Sequence, residues 1–422
     1  MALVKLSLRD YRCFAERQDV ELRPITVVLG KNNSGKSALV RAPIILQTGI
    51  RNDHAIPLDL EQFGDDAPDF IDLVHERLKV RNISVGLGMT GPEDEEYALN
   101  AVIQDFPDEY IQRVVNWSLR SGDDTVAYEW SLAADSEEPE ESGPQPYQRL
   151  GDGAGLTWLD FRGLLPTELP NGDAPWFDAE RIRSSFGLVR HLGPFRQKPK
   201  RLVRLPTREP VQDEFGSRAA EILAFHHVRR KGRLIERVNE YLRAPLPAWK
   251  LEVRPHLDGY MIGLQSRKKS ELWVPATESG TGIAQILPFL VRRAQDELSP
   301  PERDILEIIE EPELHLHPSA QAMLADLYIR AVDNQRVRFL VETHSETFLL
   351  RLRRRVAEGK LDADQLALYF IDDDGESSIV RRINVDGLGN VDYWPEGIFE
   401  EGFEEVRALA EAQETQLESD AG

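Results

Sequence analysis

The chain has 422 residues, 41% hydrophobic and 29% charged, enough for a sizeable core in one large domain with insertions or in two or three domains. Its 73 acidic residues outnumber 51 basic ones, and the net charge of −22 argues against a protein coated in nucleic acid while leaving room for a local basic groove. The single cysteine, Cys13, excludes an intramolecular disulfide framework, and no stretch approaches the roughly 20 apolar residues of a membrane span. With no leader pattern in Met1 to Lys5, a soluble cytoplasmic protein is expected.

In chain order, residues 3–8 and 18–22 alternate as two short strands. The apolar run Ile25 to Leu29 reads as a strand entering Gly30-Lys31-Asn32-Asn33-Ser34-Gly35-Lys36-Ser37, and Ala38 to Arg41 read as a helix leaving it. The eight residues match G-x-x-x-x-G-K-[ST], the phosphate-binding P-loop. Backbone N–H groups of such a loop cradle phosphate oxygens at a helix N-terminus. Gly30, Asn32, Asn33, Ser34 and Gly35 are therefore expected around the nucleotide, with Lys36 on the β- and γ-phosphates and Ser37 on Mg²⁺. Residues 79–132 are β-rich, with Val80 to Val85 and Val126 to Trp130 as strands. Residues 135–155 are acidic and rich in Pro and Gly, the composition of a surface loop. Residues 156–190 form a loosely patterned insertion. Residues 215–243 read as helix, ended by Pro245 and Pro247, and residues 250–275 return to strands. Three locally basic segments, 196–204, 229–233 and 351–355, are expected to be solvated faces or loops.

Glu278-Ser279-Gly280-Thr281-Gly282 precedes Ile283, Ile286, Leu287, Phe289 and Leu290 at helical spacing, a second anion site at a helix N-terminus. One γ-phosphate does not need two cradles in one subunit, so this loop is expected to cap the nucleotide of a partner subunit; an ordinary helix N-cap is the alternative. Leu306 to Ile309 read as an apolar strand ending in Glu310 and Glu311. Glu310 is expected to bind Mg²⁺ directly or through water, and Glu311 to orient and deprotonate the attacking water. The sequence distance from Lys36 to Glu310 far exceeds that of a compact P-loop domain. A third strand, Phe339 to Glu342, ends at Thr343-His344-Ser345, and His344 is placed to hydrogen-bond the γ-phosphate. Leu366 to Ile371 and Ser378 to Ile383 are strands joined by Asp374-Gly375, so Asp372-Asp373-Asp374 is read as a hairpin turn rather than a metal site.

As a set, these motifs resemble the ABC-type ATPases of the recombination and SMC-like group, more closely the OLD-like branch of bacterial ATPases. The carriers are YRCF at Tyr11 to Phe14, GKNNSGKS at 30–37, HLGPFRQKPKR at 191–201, ESGTGIAQILP at 278–288, EEPELHLHP at 310–318 and ETHS at 342–345. DYWPEGIFEEGFEE at 392–405 is similar to a small extension found in a subset of them. The resemblance implies an α/β fold, an ABC-type P-loop ATPase head with a mixed sheet, a helical arm and insertions. It divides the chain into head (1–134), acidic loop and insertion (135–190), strand return and helical arm (191–277), second part of the head (278–385) and C-terminal extension (386–422). Lys36 and Ser37 become Walker A; Ser279, Gly280 and Gly282 the signature loop; Glu310 Walker B, where many relatives have Asp; Glu311 the catalytic base; His344 the switch histidine. The Q-loop glutamine stays open between Gln47, Gln62 and a substitute such as His75. His315 and His317 fall in a loop near the dimer seam, and two histidines alone are weak evidence for zinc.

The implied activity is Mg²⁺-dependent ATP hydrolysis by a homodimer or higher homo-oligomer acting as a switch. The implied setting is anti-phage defence or DNA repair beside a separate effector, a nuclease or toxin. Nucleic acid stays open as a ligand, and no membrane partner is expected. A rival from another class is an ATP-dependent scaffold that holds an effector without useful turnover. An OLD-type nuclease would need a Toprim domain after His344, and the remaining stretch is short for one.

Overall fold

In a computed structural model the chain is described over residues 2–77, 82–109, 111–131, 143–151, 155–170, 172–333, 336–395 and 407–409. The first part holds β1 (Ala2–Arg9), β2 (Gln18–Glu21), β3 (Ile25–Gly30) and α1 (Lys36–Ile50). Next come β4 (Ile83–Thr90), β5 (Glu96–Phe106), β6 (Ile111–Ser121), β7 (Asp124–Trp130), β8 (Gln145–Arg149), β9 (Leu156–Leu159), β10 (Phe161–Arg162), β11 (Leu165–Pro166), α2 (Ala179–Ser185) and β12 (Leu188–Leu192). The arm is α3 (Ala219–Arg229) and α4 (Arg233–Leu242), followed by β13 (Trp249–His256), β14 (Gly259–Ser266) and β15 (Trp273–Pro275). The last part holds α5 (Thr281–Leu298), β16 (Ile305–Glu310), α6 (Pro318–Val332), β17 (Val337–Glu342), α7 (Glu346–Ala357), β18 (Leu366–Asp373) and β19 (Ser378–Ile383).

The central sheet has the order β12-β16-β17-β3-β18-β19. Its first five strands are parallel and β19 is antiparallel to β18. Parallel strands are buried on both faces, which is why β3, β16 and β17 read as near-continuous apolar runs. Alternate residues feed two cores. Ile25, Val27, Ile305, Ile309, Phe339 and Val341 pack toward α3 to α7, while Val28, Leu306, Ile308 and Leu340 pack toward α1 and an eight-stranded antiparallel sheet, β2-β1-β4-β5-β6-β7-β8-β9. The architecture is the mixed α/β fold expected from the motifs.

Three expectations are corrected. Residues 145–149, expected in the acidic loop, form β8, because Tyr147 buries its ring in the second core and donates its hydroxyl to the Val114 carbonyl. The end of the expected insertion is β12, the edge strand beside β16, so the boundary at 190 cuts through a strand of the main sheet. The single arm helix is two, broken at Gly232, whose φ of 72° lies in the left-handed region. Val80 and Arg81, most of the acidic stretch 135–155 and most of the C-terminal extension lie outside the described residues. The Asp374-Gly375 turn does join β18 to β19, with Asp374 Oδ1 accepting the Glu376 and Ser377 amides. Among the described residues no helix is long and apolar enough to cross a membrane.

Glu307 points to the helical face of β16 and is fully buried. It is paired with both Arg292 and Arg293 of α5. Burial pushes its carboxyl up, but the two guanidiniums outweigh that and hold it below the usual carboxylate range. Removing it takes their shared carboxylate from two buried cations, leaving Arg293 only Asp296 and Arg292 only the His191 carbonyl, so Glu307→Ala is expected to lower stability by about 3–5 kcal/mol. Glu240→Ala breaks the exposed Arg237–Glu240 pair and is expected to cost under about 1 kcal/mol. Urea unfolding of both variants beside the parent checks this; equal midpoints would show that the buried network carries no stability.

Candidate nucleotide site

In parallel α/β sheets, ligands bind beyond the carboxyl ends of the strands. There, β3 runs into the P-loop. Asn33 and Gly35 adopt left-handed conformations, with φ of 65° and 98°, and turn the chain onto the N-terminus of α1. A Cβ at Gly35 would collide with Cys13 Sγ, so only glycine fits that turn. No side chain caps α1 and no acidic residue sits in its first turn, which leaves its N-terminal amides to an anion. The Ser34 hydroxyl is buried with no hydrogen-bond partner, a polar atom of the kind a phosphate oxygen would satisfy.

Lys36, Ser37, Glu311 and His344 line one pocket of about 380 Å³, together with Asn32, Asn33, Gly35, Glu342, Arg12 and Cys13. Gly30 and Ser34 are not part of its lining, and they pack on each other: a Cβ at Gly30 would sit 2.5 Å from Ser34 Oγ and 2.9 Å from the Ile371 carbonyl. Lys36 Nζ donates to the Lys31 carbonyl at 2.6 Å. Burial lowers its pKa, partly offset by the charges of Glu342 and Glu311. Glu311 follows the end of β16 at φ 41°, a turn that diverts the chain from strand direction, and its amide donates to the Glu342 carbonyl at 2.8 Å. The His344 amide donates to Glu313 Oε1 at 2.5 Å. Burial and the Lys36 charge lower the His344 pKa.

The acidic strand ends depart from expectation. Glu310 and Glu342 are register partners on β16 and β17, so both project toward α1. Glu310, expected beside Ser37, instead accepts Arg41 Nε at 2.7 Å and Nη2 at 2.6 Å, and His191 Nε2 lies 2.6 Å from its Oε1. Arg196 Nη2 donates to the Glu310 carbonyl at 2.8 Å. Burial pushes the Glu310 carboxyl up, but His191 and Arg41 outweigh it and hold the group below the usual range. The carboxylate that meets Ser37 is that of Glu342, whose Oε1 accepts the Ser37 hydroxyl at 3.0 Å. Burial, with the Glu310 charge beside it, pushes the Glu342 carboxyl up to about 7. The residue types fit Mg²⁺, which in nucleotide sites takes one or two carboxylates plus phosphate oxygens and waters.

Sequence reasoning missed Glu342, Arg41 and His191 as site residues. The ETHS string held the signal for Glu342, but choosing between two strand-end glutamates needs the register of two strands far apart in sequence. None of Gln47, Gln62 and His75 lines the pocket. Gln47 accepts the Val189 amide, Gln62 donates to Asp59, and His75 Nδ1 faces the Arg12 carbonyl.

The loop at 278–282 is elsewhere. Ser279, Gly280 and Gly282 line a separate, mostly apolar groove of about 610 Å³ with His315 and His317. Gly280 caps α5 through its backbone alone, and α5 has no side-chain cap and no acid in its first turn. His317 is the N-cap of α6, its Nδ1 accepting the Ser319 amide. Among the described residues no group of three or more His, Cys, Asp or Glu side chains converges as a metal site would.

Residues 225–349, from the arm past His344, match the family model described as AAA ATPase domain, and residues 361–409 match one described as Protein of unknown function (DUF3696). The first match begins after the P-loop, which rests on its own geometry. No curated protein matches the chain at a significant level. Among solved structures, the SMC head domain from Thermotoga maritima is 13% identical, with 91% of this chain and 100% of that chain covered and a TM-score of 0.44. An SmcHead bound to the C-winged helix domain of ScpA is 12% identical (91% and 98% covered, TM-score 0.46). The Smc head domain with an extended coiled coil bound to the C-terminal domain of ScpA, from Pyrococcus furiosus, is 10% identical (91% and 96% covered, TM-score 0.44). The partial ATPase-domain match and the geometry of the P-loop agree with the fold of a P-loop ATPase.

Proposed function

We propose that the chain is a Mg²⁺-dependent ATPase that works as a switch, two copies closing over two ATP molecules and reopening after hydrolysis. The observation that supports it best is the convergence of Lys36, Ser37, Glu311 and His344 on one pocket at the carboxyl ends of adjacent parallel strands. Lys36 binds the β- and γ-phosphates as a point charge, beside the open N-terminus of α1. Glu311 takes the proton of the attacking water, and His344, its amide held by Glu313, hydrogen-bonds the γ-phosphate. Ser37 and the strand-end carboxylate beside it are the groups that would hold Mg²⁺, which would supply charge neutralisation at the phosphates.

Dimerisation is supported by the separation of the two helix N-termini. The loop around Gly280 is exposed, uncapped and outside the P-loop pocket, as a surface that completes a partner's site would be. The setting, anti-phage defence or DNA repair beside a separate nuclease or toxin, rests on the motif resemblance alone.

Lys36→Ala is expected to weaken nucleotide binding by about 10- to 100-fold, the loss of a charge-assisted contact. Equilibrium binding of a fluorescent ATP analogue checks it, and unchanged affinity removes the P-loop assignment. Glu311→Gln is expected to keep binding while slowing hydrolysis by at least ~100-fold. Mass photometry with ATP should then show more dimer than the parent; normal turnover would rule out this base.

A Cβ at Gly280 meets nothing within 4 Å, so Gly280→Asp leaves the fold of one chain intact. It should nevertheless abolish hydrolysis by setting a carboxylate against a partner's phosphate. Mixed with Lys36→Ala it should recover part of the activity, because one of the two sites in a mixed dimer carries neither change. Turnover by Gly280→Asp alone at the parent rate would defeat the composite site.

A further inference from the structure

Glu310 and Glu342 stand side by side on one buried face, yet their surroundings differ. Both oxygens of Glu310 are taken, by two nitrogens of Arg41 and by His191. Glu342 is 4% exposed, and its carboxylate accepts one hydrogen bond, from the Ser37 hydroxyl to Oε1; its Oε2 is buried with no hydrogen-bond partner. Glu342 lines the pocket that holds Lys36 and Ser37, and Glu310 does not. An orphaned carboxylate oxygen next to a serine hydroxyl is the donor set a hard divalent cation takes.

We propose that Glu342 is the protein carboxylate that ligates the divalent cation beside Ser37, and that Glu310 is held away from the cation by Arg41 and His191. This rests on the nucleotide reading given above. It reverses the expectation drawn from the sequence, in which Glu310, the carboxylate that ends β16, takes the metal. A Glu342 side chain bridging Ser37 and the cation would also fix the serine rotamer, since Ser37 already donates to its Oε1. Glu310 then has a different task. It anchors Arg41, one turn beyond Ser37 on α1, and His191 of β12, while its backbone carbonyl holds Arg196 just beyond that strand.

The test uses the full chain and Mn²⁺ as probe, read by electron paramagnetic resonance with and without ADP. Binding of a fluorescent ATP analogue in EDTA is measured in parallel. The parent should bind Mn²⁺ tightly with ADP. Glu342→Gln should lose at least ~10-fold in Mn²⁺ affinity while keeping metal-free nucleotide binding. Glu342→Asp, which keeps the charge, should recover part of the loss and guards against a folding defect. Glu310→Gln should keep the parent's Mn²⁺ affinity. Loss of Mn²⁺ in Glu310→Gln with retention in Glu342→Gln would overturn the assignment, as would retention in both, which would make Glu342 only a hydrogen-bond partner of Ser37. Failure of the parent to bind nucleotide in EDTA would instead sink the nucleotide reading itself.

Discussion

Two carboxylates in register at the ends of neighbouring buried strands cannot both stay charged and uncompensated, because burial and mutual repulsion act on each in the same direction. Much of the site's architecture follows from how Glu310 and Glu342 escape that conflict. Glu310 receives a two-pronged guanidinium from α1 and an imidazole from the edge strand β12. Glu342 receives a serine hydroxyl and is otherwise left to the pocket. The compensation is therefore unequal, and the less compensated carboxyl, pushed up to about 7, lies in the pocket with Lys36 at the foot of the P-loop.

The legible parts of the site were those whose geometry is local. The P-loop needs only a strand, eight residues and a helix, all contiguous, and its left-handed Gly35 is forced by sterics within that stretch. Glu311 and His344 were legible as polar groups closing apolar strands, a pattern that places them at the carboxyl edge of a parallel sheet. The division of labour between Glu310 and Glu342 was not legible, because it depends on a register between strands and on Arg41 and His191 reaching across from other elements. β12 escaped for a related reason. Leu188-Val189-Arg190-His191-Leu192 is a short edge strand with polar interruptions, and only its neighbour β16 makes it one. The strand at Gln145–Arg149 was hidden by the acidic, proline-rich composition around it, although Tyr147 anchors it in the core.

The two helix N-termini that could hold phosphate stand on opposite sides of the central sheet. α1 belongs to the core shared with the antiparallel sheet, and α5 to the core of the helical face. They cannot converge on one phosphate within a chain without parting one of those cores. What links them is β16. Three residues apart on that strand, Glu307 faces α5 and Glu310 faces α1, because successive side chains alternate faces. Glu307 grips Arg292 and Arg293 of α5 with no water available to replace either partner. Arg292 also donates to the His191 carbonyl, and His191 in turn holds Glu310. Sliding α5 against β16 would strand buried charges, at a cost of several kcal/mol, so the cheaper motion carries helix, strand and edge segment together.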